Sequence, residues 1–138
     1  WQVEQSVAAV WKLLPSDWEM RVCYQSRVGP MKWIGPSTEE EIHSAGADRV
    51  GVIVSPIAFV SEHVETLVEL DIEYAQVARG LNLPFYLRAP APGVAPRFVD
   101  ALADQAERAL ACPGKLQSEN GSRLCPAAWG QCPQENTR

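Results

Sequence analysis

Apolar positions along the first stretch of chain recur at helical spacing. Val3, Val7, Val10, Trp11 and Leu14 share one stripe, which predicts a helix over 2–14 that stops at Pro15. Met20 to Tyr24 is short, apolar and β-prone and reads as a strand. A loop with Gly29, Pro30, Gly35 and Pro36 follows over 25–36. Ser37 then precedes Thr38, Glu39, Glu40 and Glu41: a hydroxyl cap and acidic residues in a first turn, where the helix dipole favours them. That helix is expected to end near Gly46. The run 50–54 (VGVIV) has the two-sided apolar pattern of a strand buried between helices. Residues 62–79 form the longest helical candidate, closed by Gly80. Phe85 to Leu87 reads as a third strand, Ala89 to Pro96 as a loop, and Phe98 to Leu110 as a helix carrying Phe98, Leu102, Ala106 and Leu110 on one stripe.

Helix and strand therefore alternate, which predicts an α/β fold: a Rossmann-like three-layer unit with a parallel sheet and right-handed crossovers. Past Cys112 the composition shifts to Gly, Ser, Asn, Gln and Pro, so the compact unit is expected to cover 1–111 and a polar, Cys-containing tail 112–138. In such sheets ligands bind beyond the carboxyl ends of the strands. Two unusual loops, 25–36 and 55–61, follow predicted strands at that edge.

Composition narrows the classes. The chain of 138 residues is 46% apolar and 21% charged, enough apolar content to bury a core. Twelve basic against seventeen acidic residues give a net charge of −5, with no basic block of the kind that grips nucleic acid through its phosphates. No apolar run approaches the roughly 18 residues of a transmembrane helix. The chain enters directly on an amphipathic helix without an initiator Met, which leads to the expectation that it is the C-terminal piece of a longer protein. The expected location is cytoplasmic, with peripheral membrane contact allowed. Of the four cysteines, Cys23 lies in an apolar stretch and reads as a buried thiol, while Cys112, Cys125 and Cys132 cluster in the tail, where bridging and metal-cluster ligation are both open.

The segment after the second strand carries the chemistry. Glu65, Glu69 and Glu73 are spaced by four and form one ridge of a helix, and residues 61–78 contain no Lys or Arg. Like charges at this spacing repel by a few tenths of a kcal/mol per pair. An acidic ladder uncompensated on its own helix suggests cations, bound or in transit. His63 and Glu65, at the helix start, have the donor types for a borderline divalent metal. The plain alternative is a solvated acidic face beside a structural histidine. In the other loop, Tyr24, Met31 and Trp33 can wall a flat apolar ligand, with Arg27 or Lys32 facing carboxylates; the alternative is that Met31 and Trp33 cover the core.

Two blocks, CYQSRVGPMKWIGPSTEEEI and VSPIAFVSEHVETLVELDIEY, in this order and separation, resemble the C-terminal half of ferrochelatases, over residues 1 to about 110. The resemblance implies two similar Rossmann-like halves with a porphyrin cleft between them, and insertion of ferrous iron, as substrate, into protoporphyrin IX to form haem. It implies that His63 and Glu65 are catalytic, matching the family's S-[ED]-H-x-E-T-L motif. It further implies that Glu69 and Glu73 continue an acidic path for metal or protons, so that His63, Glu65, Glu69 and Glu73 form the metal-handling set. Tyr24 and Trp33 match aromatic positions near the pocket, which Met31 joins. The family's second catalytic histidine belongs to an SAHSLP-type motif that this sequence lacks. The N-terminal half is thus an expected partner, and the chain alone is expected to be inactive.

Some members of that family hold a [2Fe–2S] cluster by three C-terminal cysteines and one from the N-terminal half. The resemblance extends this to Cys112, Cys125 and Cys132, although the animal pattern has a further Cys between 125 and 132 that is missing here. Two other readings compete: a short homodimeric enzyme of the cobalt-chelatase kind, and a non-enzymatic haem- or metal-binding module.

Overall fold

The computed structural model describes residues 1–25, 30, 32–112, 118 and 123–131. The chain divides into two compact units, residues 1–93 and residues 94–138. The expected boundary after residue 111 falls inside the second.

In the first unit, helix α1 (Gln2–Trp11) leads into turns, the Leu14 N–H donating to the Trp11 carbonyl at 3.1 Å and the Trp18 N–H to that of Pro15 at 3.3 Å. Helix α2 (Thr38–Asp48) starts at the expected cap. The Ser37 hydroxyl accepts from the Glu40 N–H at 3.2 Å, and the Glu40 carboxylate accepts from the Ser37 N–H at 2.7 Å, a closed capping box. Strand β1 (Val52–Val54) follows, then a π-helix (Glu65–Tyr74) continuing into helix α3 (Ala75–Gly80), then strand β2 (Tyr86–Arg88). The two strands are parallel, pairing Val52 with Tyr86, Ile53 with Leu87 and Val54 with Arg88. The long helical crossover between them is what parallel pairing requires. Ile42, Ala45, Leu70, Ala75 and Ala78 form the core where α2, the π-helix and α3 meet, with Thr38 and Thr66 buried among them.

Four expectations change. Residues 20–24 are not a strand: their one ladder contact is a bridge between Tyr24 and Ser37, the Tyr24 N–H donating to the Pro36 carbonyl at 2.9 Å. Arg21 draws this stretch onto α2 instead, donating to Glu41 at 3.1 Å and to the Ser44 hydroxyl at 2.8 Å. The α2 helix runs past Gly46 to Asp48 and stops where Arg49 turns left-handed at φ 57°. Gly46 stays helical because its missing side chain admits Leu81; a Cβ there would sit 3.1 Å from that of Leu81. The strand over 50–54 is not buried along its length: Ile53 and its partner Leu87 are 45% and 55% exposed. Finally, most of the 62–79 helix is wound as a π-helix rather than an α-helix.

In the second unit, helix α4 (Pro96–Ala111) begins with Pro at its first position, where no N–H is needed, and ends at Cys112. Residues 123–131 close a turn in which Arg123 donates to the carbonyls of Pro126 and Trp129 at 2.8 and 2.6 Å. No helix among the described residues is long and apolar enough to cross a membrane.

Candidate functional site

His63 and Glu65 stand where the loop after β1 enters the π-helix. The buried Thr66 ties this corner: its hydroxyl accepts from the His63 N–H at 3.0 Å and lies 2.9 Å from the His63 carbonyl. The His63 ring meets Phe59 edge-on, centroids 4.3 Å apart. Its Nδ1 is 3.4 Å from the Glu65 N–H, a long contact.

The π-helix sets the ladder. Its bonds run from residue i to i+5, so a turn takes more than four residues. In an α-helix four residues overshoot a full turn by about 40°; here they fall slightly short, and Glu65, Glu69 and Glu73 remain a ridge that leans the other way. Rise per residue shrinks with the wider winding, so Glu65 and Glu73 lie closer along the axis than the roughly 12 Å of eight α-helical residues. Glu65 and Glu69 are half-buried and Glu73 is exposed, so the ridge grades from interior to surface. Among the described residues no three His, Cys, Asp or Glu side chains converge closely enough to hold a metal ion. The four expected metal-handling residues are strung along a path rather than gathered in one shell.

The first loop reaches the same helix. Gln25 donates from Nε2 to Glu69 at 2.6 Å and to the Glu65 carbonyl at 3.3 Å, while the Trp33 indole N–H donates to the Gln25 carbonyl at 3.1 Å. Trp33 is thereby linked to the ladder through one residue. Tyr24, half-buried, precedes Gln25; Met31 and Arg27 lie outside the described residues. Cys23 is half-buried beside Thr38, and burial pushes its thiol up.

Sequence reasoning missed three groups. Arg88, at the end of β2, meets both carboxylate oxygens of Asp71, one at 2.8 Å, and donates to Glu62 at 2.9 Å. Glu62 also accepts from the Ala91 N–H at 2.9 Å. The Thr66 hydroxyl first, then the Ala91 N–H and the Arg88 guanidinium, bring the Glu62 carboxyl down to about 2. Burial foremost, with Asp71 close by, pushes Tyr86 up to about 12; its hydroxyl donates to the Leu70 carbonyl at 2.9 Å. The helix is acidic on its own sequence, yet Glu62 and Asp71 are compensated from β2. The third missed group is Gln25. The one available signal was Arg88 itself, a cation at the strand-end edge.

A parallel βαβ crossover whose helix begins after a strand end with a histidine and a ridge of carboxylates defines an α/β protein with an acidic helix face at that corner. The family model described as Ferrochelatase matches residues 1–110, and the chain belongs to the ferrochelatase family. It is 56% identical over 135 residues to the ferrochelatase of Phenylobacterium zucineum strain HLK1, covering 98% of this chain and 39% of that protein. It is 54% identical over 133 residues to the ferrochelatase of Caulobacter vibrioides strain NA1000, covering 96% and 38%. With the ferrochelatase of Wolbachia pipientis wMel it shares 50% over 104 residues, 75% and 32%. The chain thus spans less than two fifths of the length of these curated relatives.

Proposed function

We propose that this chain is the C-terminal part of a ferrochelatase that inserts ferrous iron into protoporphyrin IX, giving haem and two protons. The observation that carries the reading is the graded carboxylate ridge Glu65–Glu69–Glu73 starting beside His63, in a chain of this family. Insertion requires removal of two pyrrole N–H protons and stripping of water from Fe²⁺. Carboxylates that run from a half-buried position to the surface can do both, passing protons out or cations in. Glu65, nearest the start, is the catalytic carboxylate, with His63 as its hydrogen-bonding neighbour. Glu69, fixed by Gln25, and Glu73 continue the path, and Tyr24 and Trp33 line the porphyrin side, to which the resemblance also assigns Met31, outside the described residues. Neither the short cobalt-chelatase reading nor a plain haem-binding module is favoured by the matches.

The missing N-terminal half is the partner that completes the cleft, in a cytoplasmic protein that touches the membrane peripherally. Haem formation under anaerobic conditions tests the reading. The full-length protein should turn over and the 138-residue chain should not, because half a cleft cannot hold the macrocycle in register. Turnover by the chain alone, or none by the full-length protein, contradicts it.

The same reading includes a [2Fe–2S] cluster in the full-length protein. Cys112 and Cys125 are half-buried in the second unit, and Cys132 lies outside the described residues. These supply three of the four thiolates such a cluster takes, and the family pattern draws the fourth from the N-terminal half rather than from Cys23, which is half-buried in the first unit. Iron and sulfide in haem-free protein, lost in Cys125→Ser, support it; their absence removes the cluster.

A further inference from the structure

Among the described residues of the first unit, Arg88 is the most enclosed cation with a charged partner; its side chain is 11% exposed and it faces two carboxylates at once. Nη1 donates to Glu62, ahead of the π-helix, and to the Ala89 carbonyl at 3.2 Å. Nε and Nη2 grip both oxygens of Asp71, well inside the helix. Asp71 is two residues from Glu69 and two from Glu73. Two residues are about half a turn, so Asp71 lies on the far side of the helix from the ridge. Gln25 holds Glu69 from the ridge side. The π-helix is therefore held between two groups, one on each side.

The clamp is also specific to this winding. Each residue wound as α turns further about the axis than one wound as π. Over the six residues from Glu65 to Asp71 an α-helix would swing the Asp71 carboxylate round the axis, away from a guanidinium fixed on β2. A planar guanidinium can span two carboxylates, whereas a lysine ammonium is a point charge that cannot hold both.

We propose that Arg88 is a positioning residue for iron insertion: by clamping Asp71 and Glu62 it holds the π-helical winding that aligns Glu65 and Glu69. The proposal rests on the function proposed above. It is tested in the full-length protein by anaerobic haem formation, counted per folded molecule. Replacement of groups that orient reacting ligands commonly costs about 10–100-fold, so Arg88→Met should lower kcat by that order while KM for protoporphyrin stays within about twofold. Methylguanidinium in the assay should restore part of the lost kcat of Arg88→Met, and urea should not. Arg88→Lys should fall between wild type and Arg88→Met. Asp71→Asn, an isosteric change at a more exposed site, should lower kcat in the same direction and decides the matter where Arg88→Met does not fold. A merely structural role would reduce the folded fraction, leave kcat per folded molecule unchanged and give no rescue. Unchanged kcat in the folded variants of an active wild type overturns this proposal alone. No haem from the wild type overturns the functional reading and this proposal with it.

Discussion

Glu62 and Glu69 are both carboxylates beside one helix, and their surroundings separate their tasks. Among the described residues Glu69 accepts a single neutral donor, the Gln25 amide, on the ridge side. Glu62 is held by a hydroxyl, a backbone N–H and a guanidinium, and its carboxyl drops from the ordinary 4.5 to about 2. A carboxyl depressed on folding contributes stability that is present above its unfolded value and is lost as pH falls through its folded value. The first unit should therefore lose melting temperature between pH 4.5 and about 2, and Glu62→Gln should flatten that slope. A carbon-detected titration of Glu62 should show its midpoint near 2, and Thr66→Val should raise it, since the Thr66 hydroxyl contributes most. A midpoint unmoved by Thr66→Val would contradict this assignment. At this scale the ridge of Glu65, Glu69 and Glu73 was legible, because four-residue spacing marks one helix face within a single segment. Gln25 and Arg88 were not, because their partners lie 40–44 and 17–26 positions away and only the fold brings them together.

Elements were legible where a local signal acts alone. The α2 start follows from Ser37 and Glu40, whose reciprocal bonds need nothing beyond four residues. The two real strands and the crossover follow from apolar runs separated by a helix. Winding was not legible: four-residue spacing of Glu65, Glu69 and Glu73 produces a ridge on an α-helix and on a π-helix alike. Nor was the fate of residues 20–24, since β-prone residues form a strand only where a neighbouring strand offers its backbone, and Arg21 holds this stretch to α2. The β1 edge shows how close the packing is. A Cβ on Gly51 would lie 2.2 Å from the ring edge of Phe85, the residue whose carbonyl accepts from the Val52 N–H at 3.0 Å. Gly51→Ala should therefore destabilise the protein by about 1–3 kcal/mol, the usual range for overpacking. Phe85→Ala in the same chain should recover much of that loss, so the pair is non-additive in denaturant unfolding. Additive losses would show that the ring is not the obstacle.

At the scale of the whole molecule, the curated relatives are more than twice the length of this chain, in which the paired Ile53 and Leu87 are exposed. The acidic ridge is nonetheless complete within this chain, from a half-buried Glu65 to an exposed Glu73. In the proposed function Glu65 is the residue on which turnover depends, and Glu73, nearer solvent, is a lesser contributor. Glu→Gln keeps the shape and removes the charge, so it separates proton and metal handling from packing. The deciding measurement is anaerobic haem formation by full-length Glu65→Gln, with protoporphyrin binding followed by fluorescence on the same protein. The prediction is loss of turnover with porphyrin affinity retained, and a smaller loss in Glu73→Gln. Near-wild-type turnover in Glu65→Gln would contradict the account.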